Sequence, residues 1–179
     1  MVLKVAIIGL APSTRADAPW GDPSWEKWGL PWDAAKWGLM QRHFEMHDWR
    51  LLHGPHSRRA SDYDQRLQDC KCLYTQENYP LEAVAESIGQ AYWNSSIAYA
   101  MALAIHEHAS EIAIYGVDMD GSDEYAYQRP NMEYLIGVAR GKGIKVFVPP
   151  QSALCRFEPK GIKFYEYEPT YTDRYGWLG

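Results

Sequence analysis

The sequence predicts a single α/β domain in which a mostly parallel sheet is flanked by helices. Three observations predict it. The chain opens on a short apolar run, Val2–Leu3–Lys4–Val5–Ala6–Ile7–Ile8–Gly9, which passes into Leu10–Ala11–Pro12–Ser13–Thr14. A second run, Ile112–Ala113–Ile114–Tyr115–Gly116–Val117–Asp118–Met119, is β-branched and ends on a glycine and then a carboxylate. Helical patterns separate and follow these runs, the alternation expected of a parallel sheet. In an open α/β sheet, ligands sit beyond the carboxyl ends of the strands. Both runs deliver glycine and polar groups to that edge, so a nucleotide-type crevice is expected there.

The chain has 179 residues, one domain by size and long enough to bury a core. A net charge of −5 argues against a broad nucleic-acid footprint, which needs a basic surface. Adjacent Arg58 and Arg59 read as a solvated loop. The three cysteines, Cys70, Cys72 and Cys155, suggest no disulfide framework and fit a reducing compartment. The Cys-x-Cys spacing is not a zinc knuckle. No run approaches the roughly 20 apolar residues needed to span a bilayer. The first strand is too short for a signal peptide. A cytoplasmic protein is expected. Eight tryptophans and thirteen tyrosines suit base-stacking pockets and oligomer interfaces, or simply an aromatic-rich core.

In chain order, the first strand leads to a turn where Ser13, Thr14 and backbone N–H groups can meet an anion. It has neither the Gly-x-Gly-x-x-Gly spacing nor the Walker lysine. Residues 16–33 are rich in Pro, Gly, Asp and Trp and read as a binding or lid loop, with a short strand around Trp28. The segment Arg42–His43–Phe44–Glu45–Met46–His47 lies near a strand end. If extended, it carries His43, Glu45 and His47 on one face. The zincin spacing puts Glu directly after the first His, and here it does not; no metal site is expected on these histidines. Residues 48–80 read as scattered charge and turns, with a short strand at Leu73–Tyr74.

A helix follows Tyr79–Pro80, with Leu81, Val84, Ala85 and Ile88 at helical spacing and Gly89 as its stop. The long helix runs from Ser95 to about His108, capped through Asn94–Ser95–Ser96, and its alanines allow close packing. Its start has two readings, a cap alone or an anion site. After the Asp118 strand, residues 120–130 read as a loop dense in hydrogen-bonding groups. Within it, Gln128 adds polar contacts, Arg129 can clamp a phosphate, and Tyr125 or Tyr127 can stack on a base. Asn131 to Arg140 is the next helix, stopped by Gly141–Lys142–Gly143. Residues 144–148 form a strand leading into Pro149–Pro150–Gln151–Ser152. Residues 156–179 are a C-terminal extension, with an edge strand around Phe164–Tyr167 and a tail suited to wrapping a second subunit, so a homo-oligomer is expected.

The order of these motifs carries a resemblance. Residues 4–13 come first; Asn94–Ser95–Ser96–Ile97–Ala98–Tyr99 then leads the alanine-rich helix into Ile114–Met119. Glu133–Gly137, Gly143–Pro149 and Ser152–Ala153–Leu154 close the series. Over most of its length the chain resembles a group of bacteriophage proteins of unassigned function. Over the first strand and residues 94–154 it is distantly similar to bacterial sialyltransferases that use CMP-sialic acid, and to archaeal-type 6-hydroxymethylpterin pyrophosphokinases. The resemblance implies a Rossmann-like sheet with Gly9, Pro12, Ser13, Asn94, Ser95, Ser96, Asp118 and Ser152 in the crevice. The sialyltransferases carry a histidine base between the Gly-x-Asp strand and the next helix. Here that shorter segment reads Tyr127–Gln128–Arg129–Pro130 and has none, which argues against sialyl transfer itself.

Two functions from different classes follow. One is a transferase acting on a nucleotide or nucleotide-linked donor. His47 is its candidate base, with Glu45, Asp118 and Glu124 as the other candidate catalytic groups. Asp118 or Glu124 accepts a proton or holds Mg²⁺. The alternative is a non-catalytic binder that sequesters a nucleotide signal or docks on a host protein. A third reading is an N-glycosidase using Glu124 or Asp118.

Overall fold

A computed structural model describes residues 2–32, 39–48, 63–121 and 123–155. Six strands form one sheet: β1 (Lys4–Ile8), β2 (Glu26–Gly29), β3 (Arg42–Glu45), β4 (Leu73–Thr75), β5 (Glu111–Tyr115) and β6 (Lys145–Phe147). Their order is β4-β3-β2-β1-β5-β6, and every neighbouring pair is parallel. This is a Rossmann-like α/β sheet. The chain steps outward from β1 to β4, then returns to lay β5 on the other side of β1, which puts the topological switch point between β1 and β5.

The helices are α1 (Pro12–Arg15), α2 (Tyr63–Asp69), α3 (Leu81–Ile88), α4 (Ser96–His106) and α5 (Tyr125–Gly141). None of the described helices is long and apolar enough to cross a membrane. Central parallel strands are covered on both faces and read as unbroken apolar runs. Accordingly Val5, Ala6, Ile7 and Ile8 are all fully buried. Their alternation divides two cores. Val5 and Ile7 join Ile112, Ile114, Trp28 and Phe44 beneath the helices. Ala6 and Ile8 face the other way, onto Ala18 and Met40, with Trp20, Trp25 and Tyr115 packed around them.

Apolar on nearly every side, α4 is the buried helix of the larger core. Its alanines bring it close to β1, β2 and β3 while α3 and α5 flank it. The residue 16–33 stretch is divided between tasks. Ala18, Trp20 and Trp25 cover the second face of the sheet, residues 26–29 are β2, and Leu30 and Trp32 reach the switch-point edge. Residue 33 and the extension at 156–179 lie outside the described residues.

Two elements differ from the sequence expectation. Residues 125–130, expected as loop, are the opening turns of α5, which carries Pro130 inside it. A proline normally stops a helix because it removes one backbone N–H and crowds the preceding turn. Here Asn131 and Met132, both fully buried, anchor the segment directly after the proline, so tertiary packing outweighs local preference. In the region expected to be turns, α2 forms from the polar segment YDQRLQD, which buries Tyr63, Arg66 and Leu67.

Gly9 and Gly116 make the switch point possible. They end β1 and β5 back to back, and a Cβ on Gly9 would lie 2.3 Å from the Gly116 carbonyl oxygen. Gly116 also adopts a φ of 62°, in the left-handed region. The chain beyond it turns through Met119, whose φ of 50° is uncommon for a residue with a side chain.

Candidate functional site

A crevice of about 540 Å³ opens over the switch point. Gly9–Ala11 and Gly116–Asp120 form its floor, and Asn94–Ile97 at the start of α4 one wall. Leu30, Trp32 and His47 line another side, with Glu124, Tyr125 and Gln128 opposite. Its volume suits a nucleotide-sized ligand.

The start of α4 is built by local chemistry. Ser95 is extended and its hydroxyl accepts the Ala98 N–H at 3.2 Å, an N-cap. Ser96 Oγ accepts the Met46 N–H at 3.2 Å, tying the helix start to the end of β3. Asn94 donates from Nδ2 to the Tyr127 carbonyl at 3.2 Å. Fully buried Asn131 accepts the Asn94 N–H on Oδ1 and donates from Nδ2 to the Tyr92 carbonyl. The two helix starts are thus clasped together, and the first-turn N–H groups of α4 border the crevice. We expect Ser95→Ala to cost about 1 kcal/mol of stability through loss of the cap, read as a lower urea midpoint with an unchanged slope.

Glu45 and His47 form a hydrogen-bonded pair at the end of β3. Glu45 is 2% exposed and both of its oxygens are used. Oε1 accepts His47 Nδ1–H and, at 3.1 Å, the His47 backbone N–H. Oε2 accepts the Tyr63 hydroxyl. A carboxylate can only accept, so Nδ1 carries the proton and Nε2 is the basic nitrogen. The hydrogen bond to Glu45 raises the His47 pKa above its ordinary value. Burial partly offsets this, and the charges of Glu45 and Glu124 add to the rise. The Trp32 ring meets His47 edge-on, with centroids 6.2 Å apart.

Asp118 accepts from the Ser13 hydroxyl at 2.9 Å and from the Ala153 N–H at 3.4 Å, both on Oδ1. Glu124 accepts from the Gln128 side chain. Of the candidate catalytic groups, His47, Asp118 and Glu124 line the crevice, while Glu45 stands behind His47 and lines the adjoining hollow beside α2 and β4. Gly9, Asn94, Ser95, Ser96, Tyr125 and Gln128 also line it.

Five expected ligand contacts are not among the residues that line the crevice. Arg129 Nε donates to Glu133 Oε1 at 2.9 Å along α5, so the expected phosphate clamp is a helix ion pair. Thr14 is 1% exposed and its hydroxyl accepts the Gly116 N–H at 2.8 Å. Ser13 is held by Asp118. Pro12 lines a separate hollow with Arg15, Ala16 and Trp20. Ser152, 3% exposed, donates to the Val117 carbonyl at 2.7 Å and accepts the Leu154 N–H at 3.1 Å. These hydroxyls hold the end of β5 in shape.

Sequence reasoning missed Tyr63, Trp32, Asp120 and Asn131 as individual site residues. Trp32 lay within a stretch read as a binding loop. Tyr63 and Asn131 act through partners distant in sequence, and no local pattern marks them. All three cysteines are free; burial pushes the Cys70 thiol up to about 11 and raises Cys155 as well. Among the described residues, no group of three or more His, Cys, Asp or Glu converges as a metal site.

Fold and crevice together define a Rossmann-like α/β protein with a ligand-sized opening at its switch point. No family model and no curated protein matches the chain. Among solved structures, it is similar to the sialyltransferase CstII from Campylobacter jejuni in complex with cytidine-5′-monophosphate. The identity is 12% and the TM-score 0.45, over 98% of this chain and 99% of that one. The same enzyme in complex with CMP-3FNeuAc matches at 11% identity and a TM-score of 0.45, over 97% and 98% of the two chains.

Proposed function

We propose that this protein is a group-transfer enzyme acting on a nucleotide or nucleotide-linked donor. The observation that carries this reading is the Glu45–His47 pair at the side of the switch-point crevice. A histidine whose Nδ1 is held by a buried carboxylate presents Nε2 as a general base at near-neutral pH. The donor's phosphate is held by the backbone N–H groups of Ser95, Ser96 and Ile97 at the start of α4, where the helix dipole favours an anion. The donor's base or ring rests on Trp32 or Tyr125.

In the transfer step, His47 Nε2 takes a proton from the acceptor. A bond then forms between the acceptor atom and the transferred group. The bond between that group and the donor's phosphate oxygen breaks, and the electron pair leaves with the nucleotide. Asp118, Asp120 and Glu124 make the crevice acidic. Mg²⁺ arriving with the phosphates fits this lining, because it is usually held by one or two carboxylates together with substrate phosphates.

The test is incubation of the purified protein with nucleotides and CMP- and UDP-sugars, with and without Mg²⁺, followed by mass spectrometry of bound and free fractions. One donor should be consumed and its nucleotide released, with His47→Gln retaining that donor without consuming it. Retention of one compound intact by both proteins would establish a sequestering binder instead. If neither protein retains or changes anything, the crevice is not a nucleotide site.

A further inference from the structure

The helix that the sequence did not announce, α2, packs behind this side of the site. Two residues of α2 reach the crevice wall from behind. Arg66, 7% exposed, donates to the carbonyls of Pro31 and Trp32 at 3.1 and 3.0 Å. Tyr63, fully buried, lays its ring 4.7 Å from that of Trp32 and gives its hydroxyl proton to Glu45 Oε2. The Arg66 guanidinium in turn lies 5.6 Å from the centre of the Tyr63 ring. A short polar helix therefore touches both the aromatic wall and the carboxylate that orients the base.

We propose that Tyr63 is a positioning residue for His47, acting through Glu45. Its hydroxyl fixes the carboxylate so that Oε1 alone faces the imidazole and Nε2 is held toward the crevice. The inference rests on His47 being the base, and it adds what keeps that base in one tautomer and one orientation. A buried carboxylate with a free oxygen could rotate, or offer either oxygen to the imidazole. With Oε2 committed to Tyr63, neither happens. The hydroxyl also draws negative charge away from Glu45, limiting how strongly the carboxylate holds the Nδ1 proton.

Other charged groups border His47 and must be separated from this effect. Asp48 lies on its own segment, Asp64 on α2 and Glu77 after β4. Asp118, Asp120 and Glu124 lie across the crevice. A double-mutant cycle achieves the separation, because the Tyr63 effect travels through its hydrogen bond to Glu45.

The experiment is an NMR titration of the His47 ring, assigned by the signal lost in His47→Gln. It reads the relay whether or not any transfer occurs, so its failure and that of the transferase reading are distinct. Tyr63→Phe keeps the ring against Trp32 and should shift the His47 pKa upward, whereas Glu45→Gln should shift it downward. Adding Tyr63→Phe to Glu45→Gln should then produce no further movement. An unchanged or lowered His47 pKa in Tyr63→Phe, or the same upward shift with and without Glu45, overturns the proposal. Where a donor has been found, Tyr63→Phe should lower kcat while leaving KM for that donor unchanged.

Discussion

His47→Gln is expected to lower the rate of group transfer by about 10²–10⁴-fold, the usual contribution of a positioned general base. Glutamine can still donate to Glu45, so the buried carboxylate keeps a partner and the fold is spared the cost of an isolated charge. Donor affinity should change little. In the wild-type protein the rate should rise with pH, because the base must be neutral to accept a proton. Since the hydrogen bond to Glu45 raises the His47 pKa, the midpoint of that rise should lie above the ordinary histidine value of about 6.5. Glu45→Gln should move the midpoint to lower pH as it reduces the rate. A rate in His47→Gln within a few-fold of wild type would remove His47 from the chemistry.

Gly9→Ala should destabilise the fold strongly. The new Cβ would lie 2.3 Å from the Gly116 carbonyl oxygen and 2.9 Å from Val117 Cγ2. The first obstacle is backbone and cannot rotate aside. Overpacking a core typically costs about 1–3 kcal/mol, and a clash with fixed backbone belongs at or above the top of that range. Gly116→Ala meets the same wall from the other side, 2.8 Å from the Gly9 carbonyl, and adds the strain of a φ of 62°. Denaturant unfolding should show a midpoint well below wild type for each. A loss under about 1 kcal/mol for Gly9→Ala would mean that β1 and β5 separate more easily than their geometry indicates.

The parts of this molecule that could be read in its sequence are those whose partners are generic. β1, β5 and α4 announce themselves because burial on all sides demands apolar residues, whatever the neighbour is. α2 has only seven residues and one polar-looking turn pattern. Its Arg66 is buried because two carbonyls of a distant loop accept from it, and nothing in YDQRLQD reveals that. The start of α5 was hidden by Pro130, whose local veto is overruled by burial of the next two residues. In the site, alternation along residues 43–47 brought Glu45 and His47 together on paper, and they do meet. His43, on the same face of that pattern, is buried like Glu45 and does not line the crevice. The hydroxyls of Ser13 and Thr14 looked ready for an anion, yet each answers to a residue more than a hundred positions away. A short motif cannot show whether its polar groups are already taken.

The sheet order also bears on how the protein is made. β1 is made before the other five strands and β2 is the next to follow, so one edge of β1 can be covered before β5 exists. Its other edge belongs to β5, and Ser110, just before that strand, donates back to the Leu3 carbonyl across 107 residues of chain. At about 5–20 residues per second, the nascent protein carries that edge uncovered for roughly 5–20 s. An apolar strand with open hydrogen-bonding groups is a template for pairing with other chains. The crevice and its floor come into existence only when β5 closes that gap. For this molecule, completing the crevice and covering the second edge of β1 are a single event.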